Sequence, residues 1–281
     1  MFEVLDFEFF RNALVAGALA SVACGIIGTY VVVRRMVSVS GGISHAAFGG
    51  IGLGYFLGID PLIGAAGFTV ATALGMGALQ LRAKQQMDTL IGAVWAAGMA
   101  IGILFVYLTP GFAPDLFSYL FGNILLVPRG DILLMTVLVV IIVAVVAFLY
   151  REFQAVTFDP DYATVMNLPV ERLSLLLLVL IALTVVMLIR VVGIILVIAL
   201  LTLPAAISRL YTTRIWSMML GAVGLGIVFS VTGIWLSYLF NVPSGATIIL
   251  VSTAAYGGAL GIERLRQTLT TAPREKTKKA A

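Results

Sequence analysis

The sequence contains a series of apolar runs, each long enough to cross the hydrocarbon core of a bilayer, which is about 30 Å thick. The runs lie at about 12–33, 43–59, 61–81, 89–109, 131–150, 171–189, 191–208, 216–240 and 246–262. Of the residues, 61% are hydrophobic and 11% are charged, whereas soluble domains carry about 25% charged residues. A soluble fold has too little interior to bury this much apolar surface. We therefore expect an all-α integral membrane protein, a polytopic bundle of about nine transmembrane helices, between about eight and ten.

The basic residues lie mainly on one side of this predicted topology. If the N-terminus is outside and nine helices follow, only Arg11, Arg129 and Arg190 of the 17 lysines and arginines fall outside. Cytoplasmic loops carry an excess of such residues, so we expect an extracytoplasmic N-terminus and a cytoplasmic C-terminus in the plasma or inner membrane. We attribute this distribution of basic residues to membrane topology. We therefore expect lipid, and not nucleic acid, as the partner. We interpret residues 1–263 as one transmembrane domain and residues 264–281 as a polar cytoplasmic tail.

Two connecting segments are richer than simple loops. On the outer side, residues 115–126 are apolar but too short to span a membrane, which predicts a short extracytoplasmic or re-entrant helix. On the inner side, Asp159 offers a helix N-cap, Pro160 suits the first helical position and Asn167 offers a stop. This pattern predicts a short cytoplasmic helix within 159–168, which either lies on the membrane surface or docks on a soluble partner.

His45 is the only histidine, and it lies among glycines. At 100° per residue, Gly41, Gly49 and Gly52 share its helix face, while a second stripe formed by Gly50, Gly54 and Gly58 lies opposite. Stripes of small residues let neighbouring helices approach closely in a membrane, so we expect this helix to be enclosed by protein. A histidine there is either a neutral residue hydrogen-bonded to another helix or a transient ligand on a cation pathway. One histidine alone is not a tight metal site.

Several motifs resemble those of one transporter family. They are "VVRRMVSVSGGISHAAFGGIGLGYFLGIDP", "MDTLIGAVWAAGMAIGI", "DLFSYLFGNILL", "TFDPDYATVMNLPV", "VVGIILVIALLTLPAAISRL" and "VPSGATIIL". In order and spacing, from about residue 25 to about residue 261, the chain resembles the permease subunit of the metal-ion (zinc/manganese/iron) ABC importers. The resemblance implies a fold like that of the vitamin B12 importer permeases.

The resemblance also implies a transport mechanism. Two copies of the permease would form the translocation path, a cytoplasmic dimer of P-loop ATPases would bind beneath, and an extracytoplasmic metal-binding protein would deliver the ion. The cargo would be zinc or manganese, or else iron, with no permanently bound cofactor. Asp60 and Asp115 are candidate contacts for the binding protein.

The resemblance assigns roles to two groups of residues. The "SHA" motif makes His45 a transient metal contact in the path, and we expect the path to be lined by Gly41, Ser44, Gly49 and Gly52. The segment 158–168 matches the family's coupling helix, which sits in a groove on the ATPase. The residues expected to couple to the ATPase are Phe158, Asp159, Asp161, Tyr162, Val165 and Leu168.

The sequence departs from many members of that family at three positions. Gly41 stands where they commonly carry an aspartate one turn before the histidine. Asn123 and Ala96 stand where some zinc-type members carry an aspartate and a histidine. The path therefore has fewer fixed ligands than in those relatives, and the sequence does not select one metal.

Two other functions compete with this interpretation. One is a permease for siderophores or cobalamin, which needs a wider path than a small ion does. The other is an energy-independent channel or carrier, although we find no half-to-half repeat of the kind that carriers often show. An enzyme is disfavoured, because the sequence has neither a G-x-x-x-x-G-K-[ST] motif nor H-E-x-x-H. ATP hydrolysis is expected on a separate chain.

Overall fold

The computed structural model describes residues 7–82, 87–111, 119–120 and 122–271. Within these ranges the chain is helical and has no β-strand, as predicted. The helices are α1 (Glu8–Val33), α2 (Val37–Leu57), α3 (Pro61–Arg82), α4 (Met87–Leu108), the 3-10 helix η1 (Ile124–Leu126), α5 (Arg129–Phe148), α6 (Tyr150–Phe158), α7 (Pro160–Val165), α8 (Val170–Val192), α9 (Ile194–Tyr211), α10 (Ile215–Phe240) and α11 (Ser244–Thr271).

Eight of the described helices are long and apolar enough to cross a membrane, namely α1, α3, α4, α5, α8, α9, α10 and α11. The remaining long helix, α2, has 21 residues, which at 1.5 Å per residue is about 31 Å. It does not reach the mean hydropathy of those eight spans, because it contains six glycines, three serines and the histidine. It also begins at Val37, six residues before the predicted run at 43–59. The prediction of an all-α membrane bundle is confirmed.

Contacts between helix ends define two ends of the bundle. At the first, which we call the Glu8 end, the Arg129 side chain pairs with Glu8, so α1 and α5 begin side by side. At the second, the Arg34 end, the Arg34 guanidinium donates to Ser174 Oγ at 3.2 Å, so α8 begins where α1 finishes. Because α1 and α5 begin at the same end, an even number of helices must run between the two ends before α5. The four helices α1 to α4 meet this requirement only if α2 traverses the bundle as well.

The glycines of α2 allow it to fit between α3 and α4. A Cβ atom at Gly50 would lie 2.7 Å from Ala65 Cα of α3, and one at Gly52 would lie 2.7 Å from Gly102 Cα of α4. Real Cβ atoms do not approach backbone this closely, so only glycine fits at both positions. The expected enclosure of this helix by protein is confirmed, since 14 of its residues are buried, including Ser40 and Ser44.

The last helix is longer than the predicted transmembrane domain. The helix α11 continues to Thr271, past residue 263, where the transmembrane domain was predicted to finish. Within this extension the Gln267 amide donates to the Glu263 carboxylate at 3.1 Å, one turn away. This i to i+4 bond adds to helix stability outside the apolar span. Residues 272–281 lie outside the described residues.

Of the predicted short helix at 115–126, residues 115–118 and 121 lie outside the described residues, and Asp115 is among them. The described part contains η1, which is preceded by Asn123. The Asn123 side chain accepts a hydrogen bond from the Leu125 backbone N–H at 3.2 Å and thereby caps η1.

Candidate functional site

His45 lies near the middle of α2, and its ring stacks on Trp95 of α4. The two ring centroids are 4.0 Å apart and the ring planes are inclined by 11°. His45 Nδ1 is buried and has no hydrogen-bond partner among the described residues. The alternative, in which a neighbouring helix forms a hydrogen bond with the histidine, is therefore not observed at Nδ1. A buried polar atom without a partner costs free energy, which makes Nδ1 a candidate ligand atom.

Gly41, one turn before His45, borders the same space. A Cβ atom at Gly41 would lie 3.9 Å from Ile198 Cδ1 of α9 and 4.0 Å from Trp95 Cζ3, which is ordinary van der Waals contact. The next position is more crowded, because a Cβ at Gly42 would lie 3.0 Å from Ile91 Cγ2. The structure thus brings Gly41 and His45 together beside Trp95, with room for a Cβ atom at position 41.

The other three predicted lining residues have different surroundings. Ser44 is buried, and its hydroxyl donates to the Ser40 carbonyl within α2 at 2.8 Å. A Cβ at Gly49 would lie 2.9 Å from the carbonyl oxygen of Gly98, and Gly52 lies against Gly102. In this conformation these residues therefore serve helix packing, and their contacts are with α2 and α4 rather than with open space.

Metal-ligating side chains are sparse in the part of the chain that the structure describes. No group of three or more histidine, cysteine, aspartate or glutamate residues lies close enough there to hold a metal ion. Tight metal sites use about four ligands. The described residues of one chain therefore offer His45 as an isolated ligand and not a closed coordination site.

Asp60 lies at the Glu8 end, in the turn between α2 and α3. Its Oδ1 accepts a hydrogen bond from the Leu62 backbone N–H at 2.8 Å, so it caps the start of α3. Asp60 also lines a cavity of about 210 Å³ together with Tyr55 and Tyr119. The hydroxyls of these two tyrosines are 2.9 Å apart. Asp60 thus combines a structural role with an exposed position at this end of the bundle.

The segment between α5 and α8 contains the short helix predicted from its cap. Asp159 Oδ1 accepts a hydrogen bond from the Tyr162 backbone N–H at 2.9 Å, and Pro160 occupies the first helical position. Asn167 has φ of 57° and lies in the left-handed region, which ends the helix. The predicted cap, helix and stop are all confirmed in α7.

The residues expected to couple to the ATPase form an outward surface, with one exception. The exposed members are Phe158, Asp159, Asp161, Tyr162 and Val165. The exception is Leu168, which is half-buried against the core. Its backbone N–H donates to the Ala163 carbonyl at 3.0 Å. Leu168 therefore anchors the segment, and three large exposed side chains, Phe158, Tyr162 and Val165, remain without an intramolecular cover.

Comparison with known proteins defines the class. A sequence model of the ABC 3 transport family matches residues 6–262, and the chain belongs to this family. An uncharacterized membrane protein of Synechocystis is 52% identical over 94% of both chains. The manganese transport system membrane protein MntC of Listeria monocytogenes is 35% identical over 90% of both chains. Among solved structures, PsaBC from Streptococcus pneumoniae in complex with Fab matches with a TM-score of 0.83 and 30% identity, covering 91% of this chain and 92% of that chain.

The family membership confirms the main sequence-based expectation. The chain is the membrane-embedded permease subunit of an ABC transporter, and it is a transport subunit rather than an enzyme. This finding also removes the alternative of an energy-independent channel or carrier.

Sequence reasoning missed the partner of His45. That partner is Trp95. Its contact with His45 depends on the register between α2 and α4, which no local pattern encodes. One signal was available, because Trp95 is adjacent to Ala96, the position aligned with a pathway histidine of zinc-type relatives.

Proposed function

We propose that the chain is the permease of an ATP-driven importer of a divalent transition metal ion, with manganese or zinc as the first candidates and iron as the third. The observation that carries this proposal is the single half-buried imidazole with an unpartnered Nδ1 in the enclosed glycine-rich helix. Imidazole suits borderline divalent metals. The name of the Listeria relative supports manganese in particular.

A weak site suits transport better than a tight one. An ion must enter the path and must also leave it, so contact with the protein has to be favourable without being strong. One imidazole per chain meets this requirement. In our proposal two copies of the chain form the path and present two imidazoles to the ion. Water and backbone carbonyls complete its coordination.

The proposed partners dock at opposite ends of the bundle. The exposed surface of α7 at Phe158, Tyr162 and Val165 fits a groove on a cytoplasmic ATPase dimer, since large apolar side chains exposed in a loop between spans favour a protein partner. Asp60 and the 110–130 loop, with Asp115, receive an extracytoplasmic metal-binding protein. We place the N-terminus outside and the C-terminus in the cytoplasm because most basic residues of the connecting segments lie at the Arg34 end.

The substrate can be identified with the reconstituted complex. The full chain, its ATPase and its binding protein are placed in proteoliposomes, and ATP-dependent uptake of Mn²⁺, Zn²⁺ and Fe²⁺ is measured separately. We expect uptake of at least one of the three ions to depend on ATP. Transport of a ferric siderophore or cobalamin without transport of any free ion would refute the proposal in favour of the bulky-ligand alternative.

The role of His45 is tested in the same assay with a matched pair of variants. His45→Ala removes the candidate ligand, and we expect the uptake rate to fall about tenfold, which corresponds to about 1.4 kcal/mol. Ser40→Ala is the control, because Ser40 is buried in the same helix and its hydroxyl bonds only within the helix, to the Val37 carbonyl. Equal uptake by wild type and His45→Ala would remove His45 from the path.

A further inference from the structure

An apolar groove opens between α1, α5 and α10, away from His45. Its volume is about 430 Å³, within the range of pockets that enclose small organic ligands. The walls are formed by Val22 and Ile26 of α1, Val143 and Ala147 of α5, and Met219 and Val223 of α10. The lining is almost wholly aliphatic, so its occupant must be a hydrocarbon rather than a polar solute.

The groove has an aromatic pair at one end. Tyr150, which follows α5, and Trp216, at the start of α10, both line it and meet edge to face with ring centroids 6.4 Å apart. Tyrosine and tryptophan are enriched where the acyl region of a bilayer meets the headgroups, because each ring has an apolar body and a polar tip. This pair therefore marks the depth at which a hydrocarbon chain in the groove would reach its headgroup.

Positive charge lies next to the aromatic pair in the sequence. Arg151 directly follows Tyr150, and Arg214 lies two residues before Trp216; both arginines are exposed. Glu152 is the acidic neighbour of Arg151 and is partly buried, which leaves a net positive charge among the three side chains. Basic sites between transmembrane helices at the interface attract anionic headgroups. The groove, the aromatic pair and the arginines thus match the three parts of one phospholipid.

We propose that this groove holds an acyl chain of an anionic phospholipid from the surrounding bilayer, with the headgroup near Arg151 and Arg214. The bound lipid fills space between α1, α5 and α10 and stabilises their packing. It takes no part in metal coordination, so this site is independent of the proposed substrate.

The test measures lipid retained by the purified full chain in native mass spectrometry, with phosphatidylglycerol and phosphatidylcholine of identical acyl chains as probes. We expect phosphatidylglycerol to be retained in preference. Ala147→Phe fills the groove and should abolish retention. Ala144→Phe is the matched control, because Ala144 is also exposed on α5 but does not line the groove.

The headgroup contact is tested by charge removal. Near an anionic surface each arginine contributes about fivefold in affinity. Arg151→Gln with Arg214→Gln should therefore reduce phosphatidylglycerol retention about 25-fold, whereas Arg172→Gln, an exposed arginine at the start of α8, should leave it unchanged. Equal retention of the two lipids, or equal loss in the control variant, would overturn the headgroup assignment.

Two further outcomes would overturn the proposal. One is that Ala147→Phe retains as much phosphatidylglycerol as the wild type. The other is loss of a dimer in that variant but not in Ala144→Phe, because it would assign the groove to an interface between copies of the chain. An independent readout that uses the unaltered groove is quenching of Trp216 fluorescence by brominated acyl chains, with Trp216→Phe as the reference. Absence of quenching at this residue would also contradict the proposal.

Discussion

The packing of α2 leads to a prediction in which the same substitution has opposite effects at two glycines of one helix. At Gly41 a Cβ has room, with its nearest neighbours at 3.9 and 4.0 Å. At Gly52 it would lie 2.7 Å from Gly102 Cα and 2.8 Å from the Gly102 carbonyl carbon. These are backbone atoms of α4, so no side chain can rotate away to relieve the contact.

The magnitudes follow from two opposing effects. Replacing a helical glycine by alanine stabilises a helix by about 1 kcal/mol, because the alanine backbone has less freedom to lose. Overpacking a close contact destabilises by about 1–3 kcal/mol, and a clash with backbone belongs at the upper end of that range. We therefore expect Gly41→Ala to stabilise the protein by about 1 kcal/mol and Gly52→Ala to destabilise it by about 2 kcal/mol.

The assay is thermal unfolding of the purified full chain in nanodiscs, followed by circular dichroism. A change of 1 kcal/mol shifts the midpoint by about 2–4 °C in chains of about this size, so the two variants should differ by about 6–12 °C. Gly75→Ala provides a reference for helix propensity alone, since a Cβ at Gly75 of α3 would meet nothing within 4 Å. If Gly52→Ala is as stable as Gly75→Ala, the close packing of α2 against α4 is not as described and the reasoning fails.

Three other changes test the site and the coupling surface. Gly41→Asp places a carboxylate one turn from His45, so it should increase the amount of metal bound in equilibrium dialysis; unchanged binding would show that the lack of a carboxylate at position 41 is of no consequence for the ion. Trp95→Ala removes a ring contact worth about 0.5–1.5 kcal/mol and should lower the uptake rate about twofold to tenfold. Trp95→Phe should retain most of the wild-type uptake rate. Equal rates in the two variants would exclude positioning of His45 by the ring. Tyr162→Ala changes an exposed side chain, so it should leave the free energy of unfolding within about 0.5 kcal/mol of wild type but should reduce transport-coupled ATP hydrolysis. Intact coupling would argue against α7 as the docking helix.

Local chemistry made parts of the structure predictable. The helix α7 was predicted because Asp159, Pro160 and Asn167 each act on the backbone within a few residues. The enclosure of α2 was predicted because two stripes of glycine on one helix require two close neighbours. In both cases the information lies within one segment of sequence.

Other features were not accessible from sequence. The stack between His45 and Trp95 joins residues 50 positions apart and depends on how α2 and α4 pack. The start of α2 at Val37 was missed because the segment "VSVSGG" is not apolar enough for a hydropathy criterion. From Val39 onward that segment is buried by surrounding helices and not exposed to lipid.

The modest hydropathy of α2 has a consequence for how the chain is made. A segment rich in glycine and serine and containing a histidine gains too little from lipid to stay in a bilayer unaided. During synthesis α2 should therefore leave the translocon only when α3 and α4 follow to receive it. A nascent chain released after Gly58 would let α2 slip back toward water, while one released after Leu108 would keep it inserted.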